Sequence, residues 1–213
     1  MTAESVVGLL LTALVTGLVF AKFSRSAARV SFSQWATIAP MDGVPTLMIR
    51  VGNDRNNRII EAELRVALTR TEKTREGTTF YRMIDLTLTR SRAPVLSRGW
   101  TVMHTITADS PLHGMTPASL REEEVELLVT LAGVDDLTLQ PTHAQNTYLD
   151  AAILWGRRHA DMLRELPDGS LAMDLSHFHE LEETDATAEF PYGHGAAQFG
   201  DAAEQLGRRA RPR

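Results

Sequence analysis

The sequence predicts a mainly β protein: an antiparallel β-sandwich of the immunoglobulin-like (E-set) type, preceded by one transmembrane α-helix. Three observations predict it. An uncharged apolar run opens the chain. Period-two alternation of apolar and polar residues fills the middle. Turn residues punctuate that middle at short intervals.

The apolar run comes first. Residues Ser5 to Ala21, SVVGLLLTALVTGLVFA, carry no charge. About 17–25 apolar residues in a helix span the hydrocarbon of a bilayer. Glu4 precedes the run, and Lys22, Arg25 and Arg29 follow it. Basic flanks collect on the cytoplasmic side, which places the bulk of the chain in the cytoplasm and the helix in the cell membrane. A secretory leader needs its positive charge before the apolar run, and MTAES has none. An amphipathic interfacial helix needs a charged face, which this run lacks. Small residues at Gly8, Thr12, Thr16 and Gly17 suit a helix that packs on other helices.

From Arg29 to about Leu175 the period becomes two. Ala62, Leu64, Val66 and Leu68 alternate with Glu61, Glu63, Arg65 and Thr69. Such alternation sets one face on a core and the other in water. Leu47, Ile49 and Val51 repeat the pattern. So do Ile84, Leu86 and Leu88, and then Val125, Leu127, Val129 and Leu131. Asp42-Gly43, Gly52-Asn53-Asp54, Glu76-Gly77 and Asp168-Gly169 read as turns. One short helix is expected at Thr116 to Leu120, with Thr116 as N-cap and Pro117 at its first position. The stretch 182–213, rich in Ala, Gly, Glu and Arg, reads as a disordered tail.

Composition narrows the function. The chain has 213 residues, 43% hydrophobic and 23% charged, with a net charge of −5 and no cysteine. A net negative chain is a poor partner for phosphate backbones, so no nucleic-acid partner is expected. Without cysteine there is no thiol catalysis and no thiolate metal site. The G-x-S-x-G, G-x-x-x-x-G-K and G-x-G-x-x-G patterns are missing. His177 and His179 flank Phe178 and would point the same way on a strand, but a metal needs three or four ligands and no matching residues follow. His104 and His113 show no arrangement with a nucleophile and a carboxylate. The expectation is a protein that is not an enzyme and holds neither a metal nor a cofactor.

Several ordered blocks carry a resemblance. GLVFAKFSR and DGVPTLMIRVGNDRNNRIIEAELRVAL resemble the inward rectifier potassium channels, bacterial branch. HTITADSPLHGMT is similar to that family's H-x-I-D-x-x-S-P-L segment, and YLDAAILWGRRHADML followed by DLSHFHE to its closing strands. The resemblance runs from about Gly8 to Glu180. It implies an inner, pore-lining helix over residues 1–23, a cytoplasmic immunoglobulin-like gating domain over 24–181, and a homotetramer around a potassium pathway. Voltage-gated channels are the broader class it suggests. The family's filter signature, T-x-G-[YF]-G, whose carbonyls replace the hydration shell of the ion, does not occur in this sequence. An alternative therefore stands beside the channel part: a filterless, single-pass, membrane-anchored interaction or regulatory module that does not itself conduct.

The resemblance also implies roles for single residues. Gly8 matches the inner-helix hinge and Thr12 the cavity-facing, pore-lining position. Phe20 matches the ring at the helix-bundle crossing, where four such rings close a pore by dewetting. Lys22 and Arg25 match basic positions that meet anionic lipid, the expected regulator. Gln140, Pro141, Thr142, His143, Ala144, Gln145 and Asn146 match the loop that narrows the cytoplasmic pore, with Gln145 where the family usually has Arg. Glu61 matches an acidic pore-lining position, where four carboxylates concentrate cations. Ala132 and the Arg90–Arg98 stretch replace other vestibule acids, which implies weak rectification.

Overall fold

The structure, a computed structural model, describes residues 2–23, 29–186 and 190–192. It opens with α1 (Thr2–Phe23). Then come β1 (Val30–Phe32), β2 (Ala36–Met41), β3 (Val44–Asn53), β4 (Ile59–Lys73), β5 (Thr79–Asp85), β6 (Arg92–Leu96) and β7 (Gly99–Thr105). After α2 (Pro117–Glu122) follow β8 (Glu126–Asp135), β9 (Pro141–Leu149), β10 (Ile153–Trp155), β11 (Arg157–His159), β12 (Leu163–Glu165), β13 (Leu171–Met173) and β14 (Leu181–Glu183).

The side chains described on α1 run from Val6 to Val19 and are all exposed. Among the described residues no helix is long and apolar enough to cross a membrane. The span expected from Ser5 to Ala21 is therefore not borne out there. It reaches past the described side chains at both ends.

Two five-stranded sheets make the sandwich. In one, β3 carries β7 along one side and both β1 and β2 along the other, and β10 adds parallel to β2. In the second, β4 carries β8 on one side and both β5 and β6 on the other, and β9 closes the far edge beside β8. The alternation read from sequence sets the inner faces. Leu47, Ile49 and Val51 from β3 face Leu64, Val66 and Leu68 from β4 and Leu127, Val129 and Leu131 from β8 in one core, each at most 1% exposed. Burying such a side chain stabilises by about 1.5–3 kcal/mol.

Turn chemistry follows the residues. Met41 pairs with Val44 across Asp42-Gly43, whose φ values are 50° and 80°. Two positive φ values define the hairpin turn whose twist matches its strands. Thr116 caps α2 as expected. Its hydroxyl accepts from the Ser119 N–H at 3.1 Å, and Ser119 Oγ accepts from the Thr116 N–H at 2.8 Å.

Three expectations are corrected. The Ile84–Leu88 run is a strand only to Asp85, although Leu86 still donates to the Val66 carbonyl. Thr69, expected in water, is 2% exposed, because its hydroxyl is taken up by Tyr81 Oη at 2.8 Å. Order also continues past 181. β14 pairs with β11, with Arg157 and Arg158 bonded to Glu183 and Glu182. Phe190, 2% exposed, stacks on Trp155 at 5.9 Å. Alternation could not reveal this, because single aromatic anchors have no period.

Candidate functional site

On α1, Thr12 Oγ1 donates to the Gly8 carbonyl at 2.9 Å. This i to i−4 bond takes up an acceptor of the helix ladder and tends to bend helices. A Cβ built on Gly8 would meet nothing within 4 Å. The expected hinge and the expected cavity-facing residue are thus one turn apart and bonded to each other. Phe20 and Lys22 fall in α1, but their side chains lie outside the described residues, as does Arg25 entirely.

Glu61 sits in β4 at a β-bulge. The pairing of β4 with β8 shifts between Ile60 and Glu63, and Glu61 has φ 51°. A non-glycine residue in that region costs about 1–2 kcal/mol. Bulges re-aim side chains and add twist. The Glu61 side chain is exposed, as the pattern predicts.

Of the segment Gln140–Asn146, expected as a loop, only Gln140 lies outside regular structure; Pro141 to Asn146 are strand, which corrects the expectation. Pro141 to Leu149 form β9, antiparallel to β8, with Ala132 opposite His143 and Thr130 opposite Gln145. The strand is hard to read because it is an edge strand with polar residues on both faces. Pro141 suits an edge, since it cannot donate to a neighbour. Thr142 is buried, whereas His143 and Gln145 are exposed. Gln140 closes the preceding turn, accepting from the Asp135 N–H at 2.9 Å.

These elements meet in an open depression of about 520 Å³ on the outer face of the second sheet. It is lined by Glu63, Arg65, Thr130, Leu131, Ala132, His143, Ala144 and Gln145. Three residues of the expected gate segment therefore share a surface with β4, two positions from Glu61. Glu63 lies 3.4 Å from Arg65 and 3.3 Å from Arg92. Such half-exposed pairs contribute about 0–1 kcal/mol and respond to salt. The sequence reading singled out Ala132 but missed Glu63 and Arg65 here. The signal was present in the alternation, which puts 61, 63 and 65 on one face.

His104, His177 and His179 have local partners. His177 and His179 lie on a 3-10 turn, Leu175–His179, and not on a strand. His177 Nδ1 contacts the Glu180 carboxylate, and His179 Nδ1 accepts from the Gln34 N–H at 3.2 Å. His104 is buried between the Thr87 carbonyl and Ser110 Oγ, each at 2.7 Å. Among the described residues no group of three or more His, Asp or Glu could hold a metal ion. Arg50, 5% exposed, is held by the carbonyls of His177 and Ala160. Burial pulls its pKa down, against the pull of Asp161 and Glu182. His159 beside it is driven down to about 4 by burial first and by Arg50 second.

The described residues thus form a two-sheet sandwich preceded by an apolar helix, with an edge strand and a bulge on one outer face. Residues 30–196 match the inward rectifier potassium channel C-terminal domain. The chain belongs to this family. It is 42% identical over 182 residues to the inward rectifier potassium channel Kirbac3.1 of Paramagnetospirillum magnetotacticum, covering 85% of this chain and 62% of that protein. It is 34% identical to the ATP-sensitive inward rectifier potassium channel 12 of Gallus gallus, covering 86% and 44%. It is 34% identical to the human G protein-activated inward rectifier potassium channel 2, covering 85% and 44%. The chain thus spans about half to three-fifths of the length of these relatives, all of them ion channels by name. None of those names speaks of voltage gating.

Proposed function

We propose that this chain supplies the inner helix and the cytoplasmic gating domain of a homotetrameric inward rectifier potassium channel in the cell membrane. Potassium is the permeant ion and anionic lipid the regulator. No enzymatic role, cofactor or nucleic-acid partner enters this reading. The observation that carries it is the family match over residues 30–196, with an apolar helix over Thr2–Phe23 before it in sequence.

In this reading α1 bends at Gly8, where Thr12 competes for the ladder, and four Phe20 rings close the pore at its lower end. Lys22 and Arg25 meet lipid headgroups, each cation contributing about 1 kcal/mol near an anionic surface. The sandwiches surround the cytoplasmic part of the pathway. Four Glu61 carboxylates raise the local cation concentration there. The Gln140–Asn146 segment narrows it, and the gate opens as the sandwiches shift as rigid bodies.

The test is the mass of the detergent-purified chain by light scattering, with flotation on phosphatidylglycerol vesicles. A tetramer that floats, and whose flotation weakens in the Lys22→Gln, Arg25→Gln double variant, supports the reading. Salt-insensitive flotation, unchanged in the double variant, removes the lipid role. A floating monomer favours the anchored module that does not conduct.

A further inference from the structure

The turn between β8 and β9 is built on a buried carboxylate. Asp135 is 0% exposed. Its Oδ1 accepts from the backbone N–H of Leu137 at 2.9 Å and of Thr138 at 3.1 Å. Its Oδ2 accepts from Asn57 Nδ2, also at 2.9 Å. Asn57 belongs to the turn between β3 and β4 and is itself 5% exposed. That turn is tied internally, since Asn53 Nδ2 donates to the Asn57 carbonyl at 2.7 Å. A second rung joins the two turns. Arg58 N–H donates to Asp136 Oδ1 at 2.8 Å, and Asp136 N–H donates to the Arg58 carbonyl at 3.0 Å.

The β3–β4 turn also holds the chain where it enters the sandwich. Asp54 N–H donates to the Arg29 carbonyl at 2.9 Å. The Asp54 carboxylate accepts from Ser31 Oγ and lies 3.8 Å from Arg29 Nε. One turn thus touches both the entry of the chain, at the first described residue after α1, and the turn that leads into β9.

A buried carboxylate is costly unless it accepts hydrogen bonds, and charge-assisted bonds are the strong ones. Asp135 receives donors on both oxygens. An amide at this position must turn its NH₂ toward either the Asn57 NH₂ or the two backbone N–H groups. Only the carboxylate satisfies both sides at once.

We propose that Asp135 is a positioning residue: its carboxylate locks the β8–β9 turn to the β3–β4 turn, so that a shift at the chain's entry, near Arg29, is passed to the Gln140–Asn146 strand. The importance of that strand rests on the gating reading above. The lock itself does not.

The experiment is amide hydrogen exchange by mass spectrometry on the full chain, in the wild type and in Asp135→Asn, Asn57→Ala, Asn57→Asp and the double variant Asp135→Asn, Asn57→Asp. The lock predicts about tenfold faster exchange at 137–146 in Asp135→Asn, spreading to 53–58, with β2 and β3 still protected. The double variant exchanges the two side chains across the contact and returns both regions to within about threefold of the wild type, a coupling that independent sites do not show. Asn57→Ala leaves the Leu137 and Thr138 bonds in place, so it reports even if Asp135→Asn fails to fold. It should still loosen 140–146. An effect of Asp135→Asn confined to 137–140, no rescue in the double variant, or no effect of Asn57→Ala at 140–146 overturns the proposal. Adding phosphatidylglycerol vesicles separates the two readings. If the lock behaves as described and 140–146 ignores the vesicles, the gating assignment falls and the lock stands.

Discussion

Gly133 lies opposite the bulge at Glu61, and the close approach of β4 at that point requires the glycine. A Cβ on Gly133 would overlap Ile59 Cγ2 and come within 3.1 Å of the Ile60 carbonyl oxygen. The bulge turns Glu61 to φ 51° and places two residues of β4 against one of β8. The pair therefore decides how the expected pore-lining carboxylate is aimed. Gly133→Ala should destabilise the sandwich by about 1–3 kcal/mol, read from the urea midpoint. A variant with the wild-type midpoint would show that the bulge relaxes without cost.

Glu61 itself carries the strain of the bulge. Glu61→Gly should leave stability unchanged or raise it by up to about 1 kcal/mol, because glycine adopts positive φ freely. Glu61→Val should lower stability, since a β-branched residue is poorly tolerated there. Thermal melts of both variants check the sign. A stabilised valine variant would contradict the backbone assignment.

His159 links stability to pH. Its folded pKa is about 4, lowered by burial and then by Arg50, with a smaller contribution from His179 and with the Met48 carbonyl opposing. The unfolded value is about 6.5. The unfolded chain therefore binds the proton first, and stability is lost as pH falls from 6.5 to 4. Above 6.5 this contribution is constant. A shift of that size corresponds to about 3 kcal/mol. His159→Phe should flatten the difference in unfolding free energy between pH 7 and pH 4.5. An unchanged slope would assign the acid sensitivity to other groups.

Phe190 tests how firmly the chain's last described residues belong to the fold. It is 2% exposed, stacks on Trp155 and meets Tyr192 at 5.1 Å. Phe190→Ala should cost about 3–5 kcal/mol. Replacing Tyr192, which is only partly buried, should cost less. Equal and negligible losses would show that the segment contributes nothing to folding.

Sequence legibility follows the physics of each element. β4 and β8 were readable because one face is buried and the other wet, which writes Ala62, Leu64, Val66 and Leu68 against Glu61, Glu63 and Arg65. α2 was readable because Thr116 and Pro117 are local signals. β9 was not, since an edge strand with polar residues on both sides leaves no period. The bulge at Glu61 was not, because nothing in a glutamate announces positive φ. The site was legible only in part. Glu61 and the Gln140–Asn146 segment were found through resemblance. The surface that His143, Ala144 and Gln145 share with Glu63 and Arg65 depends on β8 lying between β4 and β9, a long-range pairing that local pattern does not encode.

The parallel strand β10 has a consequence for synthesis. It lays Ile153, Leu154 and Trp155 beside Ala36, Thr37 and Ile38, the first broad strand of the sandwich. Chains leave the ribosome N-terminus first at about 5–20 residues per second. β2 is therefore made seconds before β10, the strand that covers it. During that interval β2 presents an open hydrogen-bonding edge to its neighbours. If four such chains assemble, as proposed, they must avoid pairing with one another through that edge. A nascent chain of this kind folds safely only if assembly waits for Trp155 to arrive.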